Sequence, residues 1–337
     1  MRRSVTVSVP ATSANMGSGY DCIGMAVDIW NELTLTRADA FLITVEGEGA
    51  DDIPRDESNY VVQGCRAAFA AAGLGEPPPL HYHCLQRIPH ARGLGSSSAA
   101  IVAGILAGLA LNGTKLNTTG EEALLQLATE IEGHPDNVAP AIYGGIQLGI
   151  YSSQQKRWMT SRVNVPHGLI FIIFIPAFTG KTSELRKCVP KEVKLEDAVF
   201  NMGRLAWLIN SLLTNNTDEM REGLEDRIHQ PQRAEAVYNH LYPLMDAAYA
   251  AGATGAYLSG AGPTVMAIAT GGKGDFFTQL DADERKDAAI AEAMTRVAAE
   301  HGVEGKVYVT HPTGTGGVVI RADPPYSSPA MTYNGET

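Results

Sequence analysis

The segment Pro89–Ala100 is a glycine- and serine-rich turn that runs directly into an apolar helix, predicted from Ile101 to Leu111. Gly93 and Gly95 permit backbone conformations that are closed to other residues and let a ligand approach closely. The serines that follow lie at a helix N-terminus, where backbone N–H donors are unpaired and the partial charge is positive. The segment therefore predicts an anion site, most naturally for a nucleotide phosphate, although an N-cap with extra serines is the simpler alternative.

Two more polar, glycine-containing segments support the phosphate-binding interpretation. They are Val9–Asp21 near the start of the chain and Leu258–Thr264 late in it. The segment Gly180–Thr182 imitates the end of a Walker phosphate loop, but Ile175 occupies the position of that motif's first glycine. A Walker site is therefore not expected.

The three loops in this order, together with the central segment Glu132–Gly145, resemble the GHMP small-molecule kinases. That family includes galactose, homoserine, mevalonate and phosphomevalonate kinases, and the segments are most similar to those of homoserine kinases. The resemblance extends from about Val5 to about Gly317. Each segment alone is moderately specific, whereas the ordered set is very specific.

The resemblance implies an α+β fold of two domains. We expect a ribosomal-protein-S5-like domain over residues 1–165, a ferredoxin-like domain over residues 166–323 and a disordered tail over residues 324–337. The implied activity is ATP-dependent phosphorylation of the L-homoserine hydroxyl, a step toward threonine. A kinase for another small alcohol, such as mevalonate, is the alternative. A silent relative that binds nucleotide and regulates a partner is disfavoured by the intact loop and by Glu132.

The resemblance assigns nucleotide binding to Asn59, Pro89, Arg92, Gly93, Leu94, Gly95, Ser96, Ser97, Ser98 and Ala99. For Asn59, a contact to the adenine edge and a simple helix N-cap are equally good interpretations. Mg²⁺ prefers hard oxygen ligands, and the family pattern points to Ser97 and Glu132. Glu130 competes for the carboxylate role. Many homoserine kinases carry several more residues between the metal-binding glutamate and the segment that corresponds to His134–Asn137, so the register of Glu132 is open.

Substrate contacts are implied for Asn15, Asp21, His134, Arg186, Arg233 and Gly260. An ammonium group requires an acceptor such as Asp21 or Asn15. A carboxylate suits the planar fork of a guanidinium, which Arg186 and Arg233 offer. Without the resemblance, both arginines would be taken for surface residues.

Catalytic roles are implied for Glu132, Asp136, Asn137 and Thr182. Asp136 occupies the position of an aspartate proposed as a base in mevalonate-type relatives. The alternative is a structural acceptor, since the resemblance to homoserine kinases implies that the hydroxyl proton can pass to the phosphate.

Composition limits the remaining possibilities. The chain has 337 residues, which favours two domains, and its net charge of -11 argues against nucleic acid and anionic membranes as partners. The four cysteines are widely spaced, and neither a membrane helix nor a leader peptide is expected, so we predict a cytoplasmic protein with reduced thiols. A homodimer is one alternative for the oligomeric state. His81 and His83 share one strand face, but without a third ligand they are interpreted as a surface pair.

Several elements are predicted from periodicity. Leu169–Ile175 is expected to be a strand buried on both faces, and Ala234–Ala251 a single helix. The strand Val318–Ile320 is expected to belong to the second domain, and residues 272–287 to form a polar loop.

Overall fold

The computed structural model describes residues 2–114, 122–180, 185–272 and 279–326. It contains two β-sheets, each covered by helices, and these sheets confirm the predicted α+β organisation in two domains. Thr182, part of the predicted loop 272–287 and most of the predicted tail lie outside the described residues.

The larger sheet has seven strands. They are β1 (Ser4–Ala14), β2 (Ile23–Arg37), β3 (Leu42–Gly47), β4 (Leu80–Gln86), β5 (Ile146–Ser152), β6 (Arg157–Val163) and, from the end of the chain, β11 (Val318–Asp323). Their order is β11-β1-β2-β4-β3, with β5 pairing to β2 and β6 pairing to β5. Strand β2 is long enough to pair along its length with β1, while β5 and β4 share its other edge. The loop between β1 and β2 therefore lies at one end of this sheet.

Four helices accompany this sheet, namely α1 (Tyr60–Ala71), α2 (Ser96–Asn112), α3 (Ala123–Glu132) and α4 (Pro135–Tyr143). Helix α2 is apolar on all sides and is buried from Ser98 to Leu111 except at Ala100. It packs on β1 and β2 on one side and on α1 on another. This burial fixes α2 in the core and holds its N-terminus, the predicted phosphate site, in one place.

The smaller sheet consists of β7 (Ile170–Pro176), β8 (Gly255–Leu258), β9 (Val265–Ala269) and β10 (Gly305–Thr310). The order of these strands is β10-β7-β9-β8, and all neighbours are antiparallel. With helices after β7 and after β9, this is the predicted ferredoxin-like arrangement. Alternate residues of β7 face two cores: Phe171 and Ile173 join the core of the larger sheet, and Ile172 joins the core beneath the outer helices. Burial on both faces explains the continuous apolar run.

The remaining helices within the described residues are α5 (Leu195–Leu213), α6 (Met220–Gly223), α7 (Gln230–Ala236), α8 (Leu241–Ala250) and α9 (Asp287–Glu300), with short 3-10 turns at Arg186–Cys188 and Thr217–Glu219. The prediction of one helix over Ala234–Ala251 was wrong. The helix breaks between Ala236 and Leu241, which leaves Pro243 in the first turn of α8, where its missing N–H is tolerated.

The last strand, β11 (Val318–Asp323), pairs with β1 and not with the second sheet. The expectation that Val318–Ile320 belongs to the second domain was therefore wrong, because the edge of β1 offers unpaired backbone groups that the returning chain satisfies. The limits of 165 and 323 for the two domains otherwise stay a prediction. Within the described ranges, no helix combines the length and the hydropathy needed to cross a bilayer.

Candidate active site

A cavity of about 420 Å³ lies where the loops of the two domains meet. Its lining contains Asn15, Asp21, Arg92, Gly93, Gly95, Ser96, Ser97, Glu132, His134, Asp136, Asn137, Arg186, Arg233 and Gly260. All of these residues were predicted for the site from the sequence. The fold thus brings together segments that are separated by more than two hundred positions in the chain.

The turn before α2 is built from backbone geometry that requires glycine. Gly95 is the N-cap of α2 with φ 67°, and Gly93 has φ 81°. A Cβ atom on Gly95 would lie 1.8 Å from Thr12 Oγ1, and one on Gly93 would lie 2.3 Å from the Ser259 carbonyl oxygen. The first residues of α2, Ser96 and Ser97, line the cavity, and neither glycine places a side chain in front of them.

The third glycine-containing loop braces the phosphate loop. The Ser259 hydroxyl donates to the Gly93 carbonyl at 2.7 Å and lies 2.8 Å from the Ser13 hydroxyl. The Gly260 N–H donates to the Ala14 carbonyl at 3.0 Å. These contacts connect all three glycine-containing loops.

Glu132 and Ser97 form an oxygen cluster at the N-terminus of α2. The Ser97 hydroxyl donates to Glu132 Oε1 at 2.7 Å, and both residues line the cavity. Glu130 is exposed and does not line it. A carboxylate and a hydroxyl at the positive end of a helix are hard oxygen donors beside a phosphate-binding turn, and this chemistry fits Mg²⁺.

The first turn of α4 supplies a connected polar group. His134 Nδ1 is hydrogen-bonded to Asp136 Oδ1, which also accepts from the Asn137 N–H at 2.9 Å. Thr12 donates to Asn137 Oδ1 at 2.8 Å and so ties this turn to β1. Burial alone would lower the pKa of His134, but the charge of Asp136 and its hydrogen bond outweigh burial and raise it.

Asp21 and Arg186 meet across the cavity from different domains. The guanidinium donates two hydrogen bonds to the carboxylate, at 2.8 and 3.0 Å, and a third at 3.3 Å to the Tyr20 hydroxyl. Burial lowers the pKa of Arg186, but the contact with Asp21 outweighs burial and raises it. Asn15 supports the loop by accepting from the Asp21 N–H at 3.0 Å and by donating to the Gly260 carbonyl at 2.9 Å.

Arg233 is fixed in a different way. Its side chain is buried, with 1% of the residue exposed, and Nη1 lies 3.0 Å from His229 Nδ1 and donates to the Gly260 carbonyl at 3.1 Å. Its Nε atom has no hydrogen-bond partner, and no carboxylate among the described residues pairs with the guanidinium. Burial accordingly lowers its pKa. The cavity therefore contains a guanidinium that no carboxylate of the described residues neutralises.

The comparisons with known proteins agree with this geometry. The family described as GHMP kinases N terminal domain matches residues 59–145, and the family described as GHMP kinases C terminal matches residues 208–300. A homoserine kinase of Desulfitobacterium hafniense is 35% identical over 316 residues, covering 94% of this chain and 100% of that protein. The chain belongs to the GHMP kinase family.

Two further relatives also align with nearly the whole of this GHMP kinase. A homoserine kinase of Moorella thermoacetica is 39% identical over 315 residues, covering 93% of this chain and 99% of that protein. The crystal structure of a homoserine kinase from Cytophaga hutchinsonii matches with a TM-score of 0.80 and 29% identity, covering 95% of this chain and 98% of that one. The two-domain GHMP kinase fold implied by the resemblance is thereby confirmed.

Some predicted nucleotide-binding residues of this GHMP kinase do not line the cavity. Leu94, Ser98 and Ala99 are buried, so only their backbone can face a ligand, and Pro89 lines a different groove. Arg92 lines the cavity, but its guanidinium donates to the carbonyls of Ala177 and Phe178 after β7, at 2.6 and 3.2 Å. This side chain consequently ties the phosphate loop to the second domain.

Asn59 lies in a smaller pocket of about 100 Å³ that shares Ser96 and Ser97 with the main cavity. Its Oδ1 caps α1 by accepting from the Val61 N–H at 3.0 Å, and its Nδ2 donates to the Pro54 carbonyl at 2.6 Å. The capping interpretation is therefore observed, while the adenine contact stays a prediction for the same pocket.

Sequence reasoning missed several members of the site. Tyr60, His90 and Ala261 also line the cavity, and His229 orients Arg233. Only His229 carried a usable signal, because it lies four residues before Arg233 and so on the same helix face. Asp21, His134 and Asp136 also approach one another closely enough to share a cation, which the sequence spacing did not indicate.

Proposed function

We propose that this protein is a homoserine kinase that transfers a phosphoryl group from ATP to the hydroxyl of L-homoserine, in the biosynthesis of threonine. The observation that carries the proposal is the single cavity in which the N-terminus of α2 and the Ser97–Glu132 pair meet one carboxylate and two guanidinium groups, Asp21, Arg186 and Arg233. The relatives named homoserine kinases, 35% and 39% identical over nearly their whole length, support it.

The charges in the cavity match an amino acid that carries a hydroxyl. An ammonium group would be recognised by Asp21 and by the carbonyl groups near Asn15, and a carboxylate by Arg233 and Arg186. Mevalonate has a carboxylate for the guanidinium groups but no ammonium to replace Arg186 as the partner of Asp21. Homoserine is therefore the better fit.

The nucleotide would place its phosphates at the N-terminus of α2, where the exposed N–H groups and the helix dipole favour negative charge. Ser97 and Glu132 would hold Mg²⁺, which neutralises charge on the transferring phosphoryl group when it is bound. The adenine would lie in the pocket beside Asn59 and Tyr60.

Phosphoryl transfer then needs mainly positioning. The substrate hydroxyl oxygen forms a bond to the γ-phosphorus, the bond from that phosphorus to the β,γ-bridging oxygen breaks, and ADP leaves. The hydroxyl proton passes either to a phosphate oxygen or to Asp136. Asp136 already accepts hydrogen bonds from His134 and from the Asn137 N–H, which favours a structural role for its carboxylate. Asn137, and Thr182 outside the described residues, would contact the reacting groups.

The other properties proposed for the protein follow from its composition and sequence. We propose a cytoplasmic enzyme with an N-terminal domain over residues 1–165 and a C-terminal domain over residues 166–323, and with a homodimer as the assembly to test. Size-exclusion chromatography with light scattering decides between monomer and dimer.

ADP release with a panel of acceptors tests the function. The purified protein is given ATP, Mg²⁺ and one alcohol at a time, among them L-homoserine, D-homoserine and mevalonate. We expect L-homoserine to give the highest kcat/KM. Higher activity with mevalonate would assign the chain to another GHMP kinase activity, and nucleotide binding without turnover of any acceptor would favour the silent relative.

A further inference from the structure

The Asp21–Arg186 ion pair occupies the part of the cavity where an amino acid would have to bind. Asp21 belongs to the loop after β1, and Arg186 begins a 3-10 turn of the second domain. Their side chains are each about one-third exposed, at 34% and 35%, so water reaches the pair but does not surround it. Both carboxylate oxygens of Asp21 are engaged by the guanidinium.

Arg233 differs from Arg186 in its burial and in its partners. It is buried, it contacts only neutral groups among its described partners, and it is held by the backbone carbonyl of Gly260 and the ring of His229. An anion can therefore approach Arg233 without breaking an existing ion pair. An anion that approaches Arg186 must first compete with Asp21.

We propose that Asp21 and Arg186 form an exchangeable ion pair, which opens only for a ligand that carries both an ammonium and a carboxylate. This inference rests on the proposed function and concerns the selectivity of the same site. In the closed pair the two charges satisfy each other. A zwitterion replaces both partners at once, the ammonium taking the place of Arg186 on Asp21 and the carboxylate taking the place of Asp21 on Arg186.

A ligand with a single charge cannot complete this exchange. A hydroxy acid would hold Arg186 and leave Asp21 without a cation, and an amino alcohol would hold Asp21 and leave Arg186 without an anion. Leaving one charge of a partly buried ion pair without a partner costs more free energy than removing both charges. The ion pair thus discriminates against both kinds of analogue, beyond the loss of their direct contacts.

The test uses three acceptors: L-homoserine, the hydroxy acid that lacks its amino group, and the amino alcohol that lacks its carboxylate. The variants are Asp21→Asn, which releases Arg186, and Arg186→Gln, which releases Asp21. Arg157→Gln is the matched control, because Arg157 forms an ion pair with Glu122 away from the cavity. The kcat/KM for each acceptor and the affinity for ATP are measured for every protein.

We expect a reciprocal change in selectivity. Relative to homoserine, Asp21→Asn should raise the kcat/KM of the hydroxy acid by about tenfold or more, and Arg186→Gln should do the same for the amino alcohol. Arg157→Gln should leave both ratios unchanged. If one variant fails to bind ATP, the kcat/KM of the analogue relative to homoserine in the other variant still tests the proposal.

Two outcomes would overturn the proposal. One is a loss of activity in the same proportion for all three acceptors, which would mean that the pair stays closed when the substrate binds. The other is a gain for the same analogue in both variants. Failure of the proposed function is a separate result, because it would be seen as poor turnover of homoserine by the unmodified protein.

Discussion

The hydroxyl of Ser97, in the first turn of α2, donates a 2.7 Å hydrogen bond to Glu132, the last residue of α3. Two helix ends of opposite polarity therefore meet at this contact. Gly133 follows Glu132 with φ 95° and turns the chain into α4, so that His134 Nε2 comes within 4.0 Å of Glu132 Oε1. This arrangement places one carboxylate beside the predicted phosphate site.

Replacing Glu132 should therefore affect turnover more than binding. Glu132→Gln keeps the shape and the hydrogen bond to Ser97 but removes the charge that would hold Mg²⁺. We expect kcat to fall by about a hundredfold to a thousandfold, with little change in the affinity for homoserine. Steady-state kinetics and calorimetric titration measure the two quantities. Glu130→Gln, at an exposed position of the same helix, is the control, and a reversal of the two effects would refute the assignment.

The turn before α2 should not accept any side chain at position 95. A Cβ atom in Gly95→Ala would lie 1.8 Å from Thr12 Oγ1, so Thr12 would have to move and its bond to Asn137 would be lost. The φ of 67° adds about 1–2 kcal/mol of strain. We expect ATP affinity and turnover to fall by more than about tenfold.

Gly73→Ala separates the two causes of that loss. Gly73 has nearly the same φ, 71°, but nothing lies within 4 Å of its added Cβ. This control should lower the free energy of unfolding by about 1–2 kcal/mol and leave ATP binding unchanged. Equal loss of ATP binding in both alanine variants would show that backbone strain, and not the crowded turn, is responsible.

Much of this site could be predicted from the sequence, because its loops have distinctive residues in a distinctive order. The choice between Glu130 and Glu132 could not. Residues two apart on a helix point to nearly opposite sides, so only one of them can face the cavity, but the shortened connection to His134 left open which one. The tertiary contact with Ser97 decides the orientation in favour of Glu132.

Features that depend on contacts between distant parts of the chain could not be predicted from the sequence. The pairing of Asp21 with Arg186 joins residues 165 positions apart, and no local pattern encodes it. The return of β11 to the first sheet likewise depends on which strand edge is available. By contrast, the buried strand β7 was correctly predicted, because burial on both faces leaves a continuous apolar run.

Arg233 should contribute to homoserine binding through a charge that no carboxylate of the described residues neutralises. Arg233→Leu removes charge-assisted hydrogen bonds worth roughly 1.5–3 kcal/mol, which corresponds to about a tenfold to hundredfold rise in the homoserine KM. The KM for ATP should barely change, because the nucleotide binds at the N-terminus of α2. Arg227→Leu is the control, since Arg227 lies just before the same helix and packs on Phe200 near Asp197. An unchanged homoserine KM in Arg233→Leu would exclude this arginine from the substrate pocket.

His229 should make the protein sensitive to acid. Burial lowers the pKa of His229 from its ordinary value of 6.5, although Asp226 opposes the shift, and Nε2 lies 2.8 Å from the Gly17 carbonyl while Nδ1 faces Arg233. The folded state binds a proton at His229 more weakly than the unfolded chain does. The contribution of His229 to the free energy of unfolding is therefore fully present above about pH 6.5 and is lost as the pH falls below that value. The slope from one such group is at most about 1.4 kcal/mol per pH unit.

Urea unfolding at several pH values measures this dependence. His229→Gln keeps a donor for Gly17 and an acceptor for Arg233 but cannot take up a proton. Other groups contribute equally to both proteins, so the difference between their free energies of unfolding isolates His229. We expect this difference to be constant from about pH 7 to pH 8.5 and to shift in favour of the variant between about pH 6.5 and pH 5. Parallel curves over the acid range would mean that the buried imidazole keeps its ordinary pKa despite its position beside the guanidinium.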